Sequence, residues 1–234
     1  VLDADYDAVV AHAADRAEHE GWTLIQDTAR PGYEEVPARI QAGYLTLFEE
    51  LTEQGLHGSD DPGVELVLLP VGVGSFAAAA VHFYHTRYGK RRPRLLGVEP
   101  LRAACLLESL RAGSPRSVST PGTLMAGLNC GTLSSIAWPP LRDGLDGTLA
   151  LDDSWIPRAV RRCAALREPV VSGETGASGL AALLALSADS TPAPLREHLG
   201  LDETARVLLI NTEGATDPAA YERLLTDPGT DAEA

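Results

Sequence analysis

One stretch constrains this chain more than any other. Glu65-Leu-Val-Leu-Leu-Pro-Val71 is an apolar run too short for a helix and too continuous for a half-exposed strand, and Gly72-Val-Gly-Ser75 follows at once. A helical pattern then runs from Phe76 to Tyr88 and closes at Gly89. A strand that is apolar on both faces must be covered on both faces, so the run predicts a buried parallel strand crossed over by a helix.

The same unit recurs along the chain. Arg94-Leu-Leu-Gly-Val-Glu99 reads as a strand and Leu101 to Ala112 as a helix ended by Gly113. Thr148 to Leu151 precedes a helix from about Ser154 to Leu166, and Pro169 to Ser172 precedes one from about Ala177 to Leu186. Ala205 to Ile210 is a further strand, and Asp217-Pro218 opens a helix with a capping acid and a first-turn proline. Upstream, Asp7 to Glu20 is helical and stops at Gly21, Trp22 to Gln26 reads as a strand, and Val36 to Gln54 carries a helical period closed by Gly55. Strands alternating with helices of about a dozen residues give the α/β class, a parallel sheet with helices on both faces. Residues 1–226 are expected to form one domain and 227–234 a frayed tail.

Charge removes several classes of function. The net charge of −14 leaves no basic footprint for displacing phosphate counterions, so no nucleic-acid partner is expected. No apolar run approaches the roughly 20 residues of a membrane span, and the start of the chain lacks the features of a signal peptide. The expectation is a soluble, cytoplasmic protein with no membrane partner. Cys105, Cys130 and Cys163 have neither metal nor disulfide spacing and read as packing thiols. His82 and His85 lie three apart on a helix but lack a third ligand, so no metal site is predicted.

Ligands of doubly covered parallel sheets bind at the carboxyl ends of the strands, which selects the residues to question. Gly72, Val73, Gly74 and Ser75 lie between a buried strand and a helix start, where free N–H groups and the helix dipole favour an anion. The bland alternative is a tight turn. Gly72-x-Gly74-x-x-Ala77 also fits a dinucleotide fingerprint, with Glu99 as its ribose acid, which keeps a nicotinamide oxidoreductase in view. Asp27 ends a strand and is either a general base, if partly desolvated, or a turn cap. Glu174, in the glycine-rich turn Ser172 to Gly179, either orients a substrate amine or complements a helix N-terminus.

Taken in order, several strings resemble the C-terminal part of the diaminopropionate ammonia-lyases, a family of tryptophan-synthase-like (fold type II) enzymes. They are Gln26-Asp-Thr-Ala29, Gly32-Tyr-Glu-Glu35 to Pro37, Gln41-Ala-Gly-Tyr44, Gly72-Val-Gly-Ser-Phe76, Val98-Glu-Pro100, Met125-Ala-Gly-Leu128 with Cys130-Gly131, Ser172-Gly-Glu-Thr-Gly-Ala177 and Thr212-Glu-Gly214. The resemblance runs from about Tyr6 to Pro218. It implies the large domain of such an enzyme, pyridoxal 5'-phosphate as cofactor, a small amino-acid substrate and a homodimeric full-length protein. It further implies α,β-elimination of 2,3-diaminopropionate to pyruvate and ammonia. Gly72, Val73, Gly74 and Ser75 then hold the cofactor's phosphate, Thr212 faces its pyridine nitrogen, and Asp27 handles the Cα proton of one substrate enantiomer. Glu174 lies near the substrate. A serine/threonine dehydratase-like lyase and a non-catalytic phosphate-binding protein remain alternatives.

One count departs from that pattern. Of 19 basic residues only Lys90 is a lysine, and the family's Schiff-base lysine belongs to an N-terminal part with no counterpart here. Lys90 follows the helix that begins at the glycine loop. That helix is roughly 20 Å long, so Lys90 is expected at the opposite edge of the sheet. The chain is therefore expected to be a partial enzyme, inactive alone, and in isolation to aggregate or dimerise through strand edges and apolar surface that the complete, soluble enzyme covers.

Overall fold

The computed structural model describes residues 6–188 and 190–226; the expected tail lies outside them. Helices α1 (Tyr6–Glu20), α2 (Glu35–Gly43) and α3 (Leu45–Glu53) precede the first strand, β1 (Leu66–Pro70), and its crossover helix α4 (Ser75–Tyr88). Then come β2 (Arg94–Pro100), α5 (Cys105–Ala112), α6 (Trp138–Gly144), β3 (Gly147–Leu151), α7 (Trp155–Ala164) and α8 (Ser178–Ser187). The order ends with α9 (Ala193–Leu199), β4 (Val207–Leu209) and α10 (Pro218–Thr226).

The four strands form one all-parallel sheet in the order β3-β2-β1-β4, with Leu66 level with Arg94 on one side and Val207 on the other. β1 is central, and Leu66, Val67, Leu68 and Leu69 are each 0% exposed, as its unbroken apolar run requires. Alternate residues face opposite layers. Val67, Leu69 and Leu95 pack with Phe48 of α3, the inner face of α4, and Trp138 and Leu141 of α6. Leu66, Leu68, Leu96 and Val98 pack with Ile156 and Val160 of α7 and Ala181 and Ala182 of α8. Burying each of these large side chains contributes about 1.5–3 kcal/mol, which makes β1 the anchor of both layers. Helices thus cover both faces of a parallel sheet, as the sequence implies.

The structure corrects some boundaries. Trp22 to Gln26 and Pro169 to Ser172 are not strands. Their β-type side chains find no neighbouring strand among the described residues, and Ile25 is 75% exposed.. Val36 to Gln54 is not one helix but two, broken between Gly43 and Leu45. Two helices, α6 and α9, carry no strong amphipathic period and go unpredicted; each has proline in its first turn. The glycine stops hold: Gly21, Gly55, Gly89 and Gly113 all adopt positive φ. Asp217 caps α10 as predicted, its carboxylate accepting from the N–H groups of Ala219 (3.0 Å) and Ala220 (2.9 Å).

Candidate functional site

A cleft of about 480 Å³ opens at the carboxyl ends of β1 and β4. Its floor is the glycine loop. Gly74 takes φ +91° as the residue before α4, a conformation in which a Cβ would lie 2.7 Å from Leu141 Cδ1, so only glycine fits without strain. Gly72 is pressed from the other side, where a Cβ would sit 3.2 Å from both Cys130 Sγ and the Gly127 carbonyl oxygen. The N–H groups of Gly74, Ser75, Phe76 and Ala77 meet no acceptor among the described residues, and they converge at the positive end of a 14-residue helix. Such a cradle suits a phosphate.

The loop after α1 and the end of β4 bring further residues to the same cleft. Asp27 is half-buried on its wall, and its backbone carbonyl accepts from the Ser75 hydroxyl at 2.9 Å. Ser134 ties this segment to the loop: its Oγ accepts from Ala29 N–H (2.8 Å), and its own N–H donates to the Val73 carbonyl (2.8 Å). Thr212 lines the cleft three residues after β4. It is set between Asn211, whose Oδ1 accepts from Ser172 Oγ (3.0 Å), and Glu213, whose carboxylate accepts from Thr175 N–H (2.8 Å). Thr175 in turn accepts from Gly127 N–H at 3.0 Å. Gly173 and Gly176 let the two loops touch, since a Cβ on Gly176 would lie 2.1 Å from Asn211 Oδ1.

The structure therefore brings together Asp27, Gly72, Val73, Gly74, Ser75 and Thr212. Glu174 is not among the lining residues; its neighbour Thr175 is. Sequence reasoning missed Ser134 and gave no site role to Tyr6, Tyr44, Phe76, Cys130 or Thr175, although the last four lie in the family-like strings. The signal for Thr175 was its place in the glycine-rich turn Ser172 to Gly179, where glycines on either side mark a close approach of backbone. Burial pushes the Asp27 carboxyl above its ordinary range, against the pull of hydrogen bonds from its own backbone, Ser75 and Thr28. Burial likewise raises the phenols of Tyr6 and Tyr44 and, with the fields of Asp7 and Asp27, pushes the Cys130 thiol up to about 12.

Several other candidates fall away from the cleft. Glu99 is 0% exposed and caps α5, its oxygens accepting from the N–H groups of Leu106 (2.9 Å) and Leu107 (2.7 Å), so it is not a ribose acid. His85 Nε2–H donates to the Gly144 carbonyl (3.0 Å), His82 is exposed, and the described residues contain no metal-binding cluster. The three thiols are free and buried. Lys90 is exposed in a second cleft with Glu65, Arg94 and Asp146, residues at the amino ends of β1, β2 and β3. That is the sheet edge opposite the glycine loop.

A parallel sheet covered on both faces, with an anion cradle at the end of its central strand and an acid on the cleft wall, suits a small-molecule site anchored through a phosphate. The sequence profile described as pyridoxal-phosphate dependent enzyme matches residues 1–213, and the chain belongs to that family. It is 38% identical to the diaminopropionate ammonia-lyase of Salmonella typhimurium strain LT2 over 232 residues, 96% of this chain and 57% of that protein. The crystal structure of Escherichia coli diaminopropionate ammonia lyase, in complex with an aminoacrylate-PLP azomethine reaction intermediate, superposes with a TM-score of 0.86 at 32% identity. It covers 98% of this chain and 59% of that one. The biosynthetic L-threonine dehydratase of Mycobacterium leprae is 37% identical over 110 residues, 47% of this chain and 22% of that protein. The chain thus spans little more than half the length of the ammonia-lyases it matches. The residues present fit pyridoxal phosphate: the unpartnered N–H groups and the space that a Cβ at Gly72 or Gly74 would fill suit its phosphate, and the Thr212 hydroxyl is available to its ring nitrogen.

Proposed function

We propose that this chain carries most of the cofactor site of a pyridoxal-phosphate dependent ammonia-lyase that converts 2,3-diaminopropionate to pyruvate and ammonia. The observation that supports this reading is that Gly72 to Ser75, Asp27 and Thr212, from separate segments of the chain, line one cleft. In this reading the N–H groups at the start of α4 hold the phosphate and Thr212 presents a neutral hydroxyl to the ring nitrogen. When bound, the cofactor supplies the electron sink that lets the Cα–H bond break and the β-amine leave. Asp27 takes the Cα proton of one substrate enantiomer. Its half-buried setting raises its proton affinity, which suits a base that must accept a proton near neutral pH.

The lysine that holds the cofactor is supplied, in this reading, by a segment outside these 234 residues, because Lys90 lines the cleft at the opposite sheet edge. The complete enzyme is a cytoplasmic homodimer. Similarity to the L-threonine dehydratase keeps a hydroxy-amino-acid substrate as the second reading. The test is turnover: the chain with added pyridoxal phosphate and diaminopropionate is expected to release no pyruvate, and borohydride is expected to fix no cofactor to Lys90. Pyruvate from the chain alone would sink the partial-enzyme reading.

A further inference from the structure

The cleft is electrically lopsided. One end offers N–H groups to an anion, whereas the lining includes two carboxylates, Asp27 and Glu213, and no Lys, Arg or His among the described residues. Glu213 is already engaged, accepting from Thr175 N–H (2.8 Å) and the Thr216 hydroxyl (2.9 Å). Asp27 draws only on nearby donors, its own backbone, Ser75 and Thr28, and has no counter-charge in the cleft among the described residues. Two phenols accompany it on the wall. Tyr44, between α2 and α3, is set edge-on against Phe76 at 5.5 Å, and Phe76 stacks on Phe48 at 5.5 Å. Tyr6 opens α1, whose start is fastened by the Thr132 hydroxyl donating to Asp7 at 2.9 Å. Both phenols lie in the field of Asp27, and that of Tyr44 also feels Tyr6.

We propose that Tyr44 and Tyr6, flanking Asp27, form a subsite for a second ammonium group on the substrate, so that the cleft selects amino acids with a side-chain amine over those with a side-chain hydroxyl. This rests on the cofactor reading above and names the specificity determinant within it. An ammonium brings three N–H donors and a positive charge; withdrawn from water, it needs three acceptors and a counter-charge. A carboxylate and two phenol oxygens supply them. A hydroxyl brings one donor and no charge, leaving the half-buried carboxylate without a counter-charge, and such mismatches are where discrimination is large.

The experiment is calorimetric titration of the chain, in saturating pyridoxal phosphate, with 2,3-diaminopropionate and with serine. Tyr44→Phe keeps the ring against Phe76 and removes only the hydroxyl. It is expected to weaken diaminopropionate by about tenfold, the loss of a hydrogen bond to a charged group, while changing serine by less than about twofold. Tyr6→Phe should act in the same direction, and pyridoxal phosphate should bind both variants as it binds the parent. If the parent binds the cofactor but Tyr44→Phe leaves the diamine-to-serine ratio unchanged, the subsite is overturned and the cofactor reading stands. If the parent takes up no pyridoxal phosphate, the cofactor reading falls and carries the subsite with it.

Discussion

At the scale of single residues the site depends on a few positions with no latitude. Gly74 combines a positive φ with a neighbour 2.7 Å from where a Cβ would be, so Gly74→Ala is expected to cost about 2–4 kcal/mol from backbone strain and overpacking together. Urea denaturation measures this directly, and the same variant should lose phosphate affinity because α4 can no longer start where it does. Asp27 is the second such position. Burial raises its proton affinity, so diaminopropionate binding should strengthen with pH across a limb lying above the ordinary carboxylate range, as the acid ionises. Asp27→Asn should flatten that limb. A limb that persists in the variant would assign it to another group. Asp27 and the glycine loop were legible because each directly follows a strand-like run. Tyr6, Tyr44 and Ser134 were not, since a residue's approach to a cleft from a distant element leaves no local pattern.

Between elements, the strand-end junctions govern how the site is held. Glu99 ends β2 and caps α5 from a fully buried position. Burial outweighs the two N–H bonds and the Thr148 hydroxyl and pushes its carboxyl up to about 7. The folded state therefore holds the proton more tightly than the unfolded chain. The resulting stability is fully present below the ordinary glutamate value and is lost as pH rises through about 7, a change on the order of 3 kcal/mol. Glu99→Gln, which cannot ionise, should remove that slope when stability is followed from pH 4 to 8. The loops after α7 and β4 meet through Gly176, so Gly176→Ala should part them, displace Thr212 and lower the melting temperature. An unshifted melt would mean that the loops can give way. The elements themselves were read well where local chemistry decides: the buried run of β1, the glycine stops, and the Asp217 cap. Trp22 to Gln26 and Pro169 to Ser172 failed as strands because a strand needs a neighbour, and the neighbour is not encoded in the segment.

For the whole molecule, the fold class and the cofactor follow from one theme, a parallel sheet whose strand ends gather an anion cradle. The chain matches little more than half the length of its ammonia-lyase relatives, and its surface exposes several large apolar groups. Trp22 is 58% exposed, Ile25 75% and Val171 54%. Isolated chain is accordingly expected to self-associate, and sedimentation as a clean monomer that melts cooperatively would contradict this. The central claim is that the cofactor's phosphate sits at the start of α4. A crystal structure of the chain grown with pyridoxal phosphate tests it most directly. Phosphate density is expected against the N–H groups of Gly74 to Ala77, with the ring directed to Thr212. Phosphate density beside Lys90 and Arg94, at the opposite edge of the sheet, would contradict it.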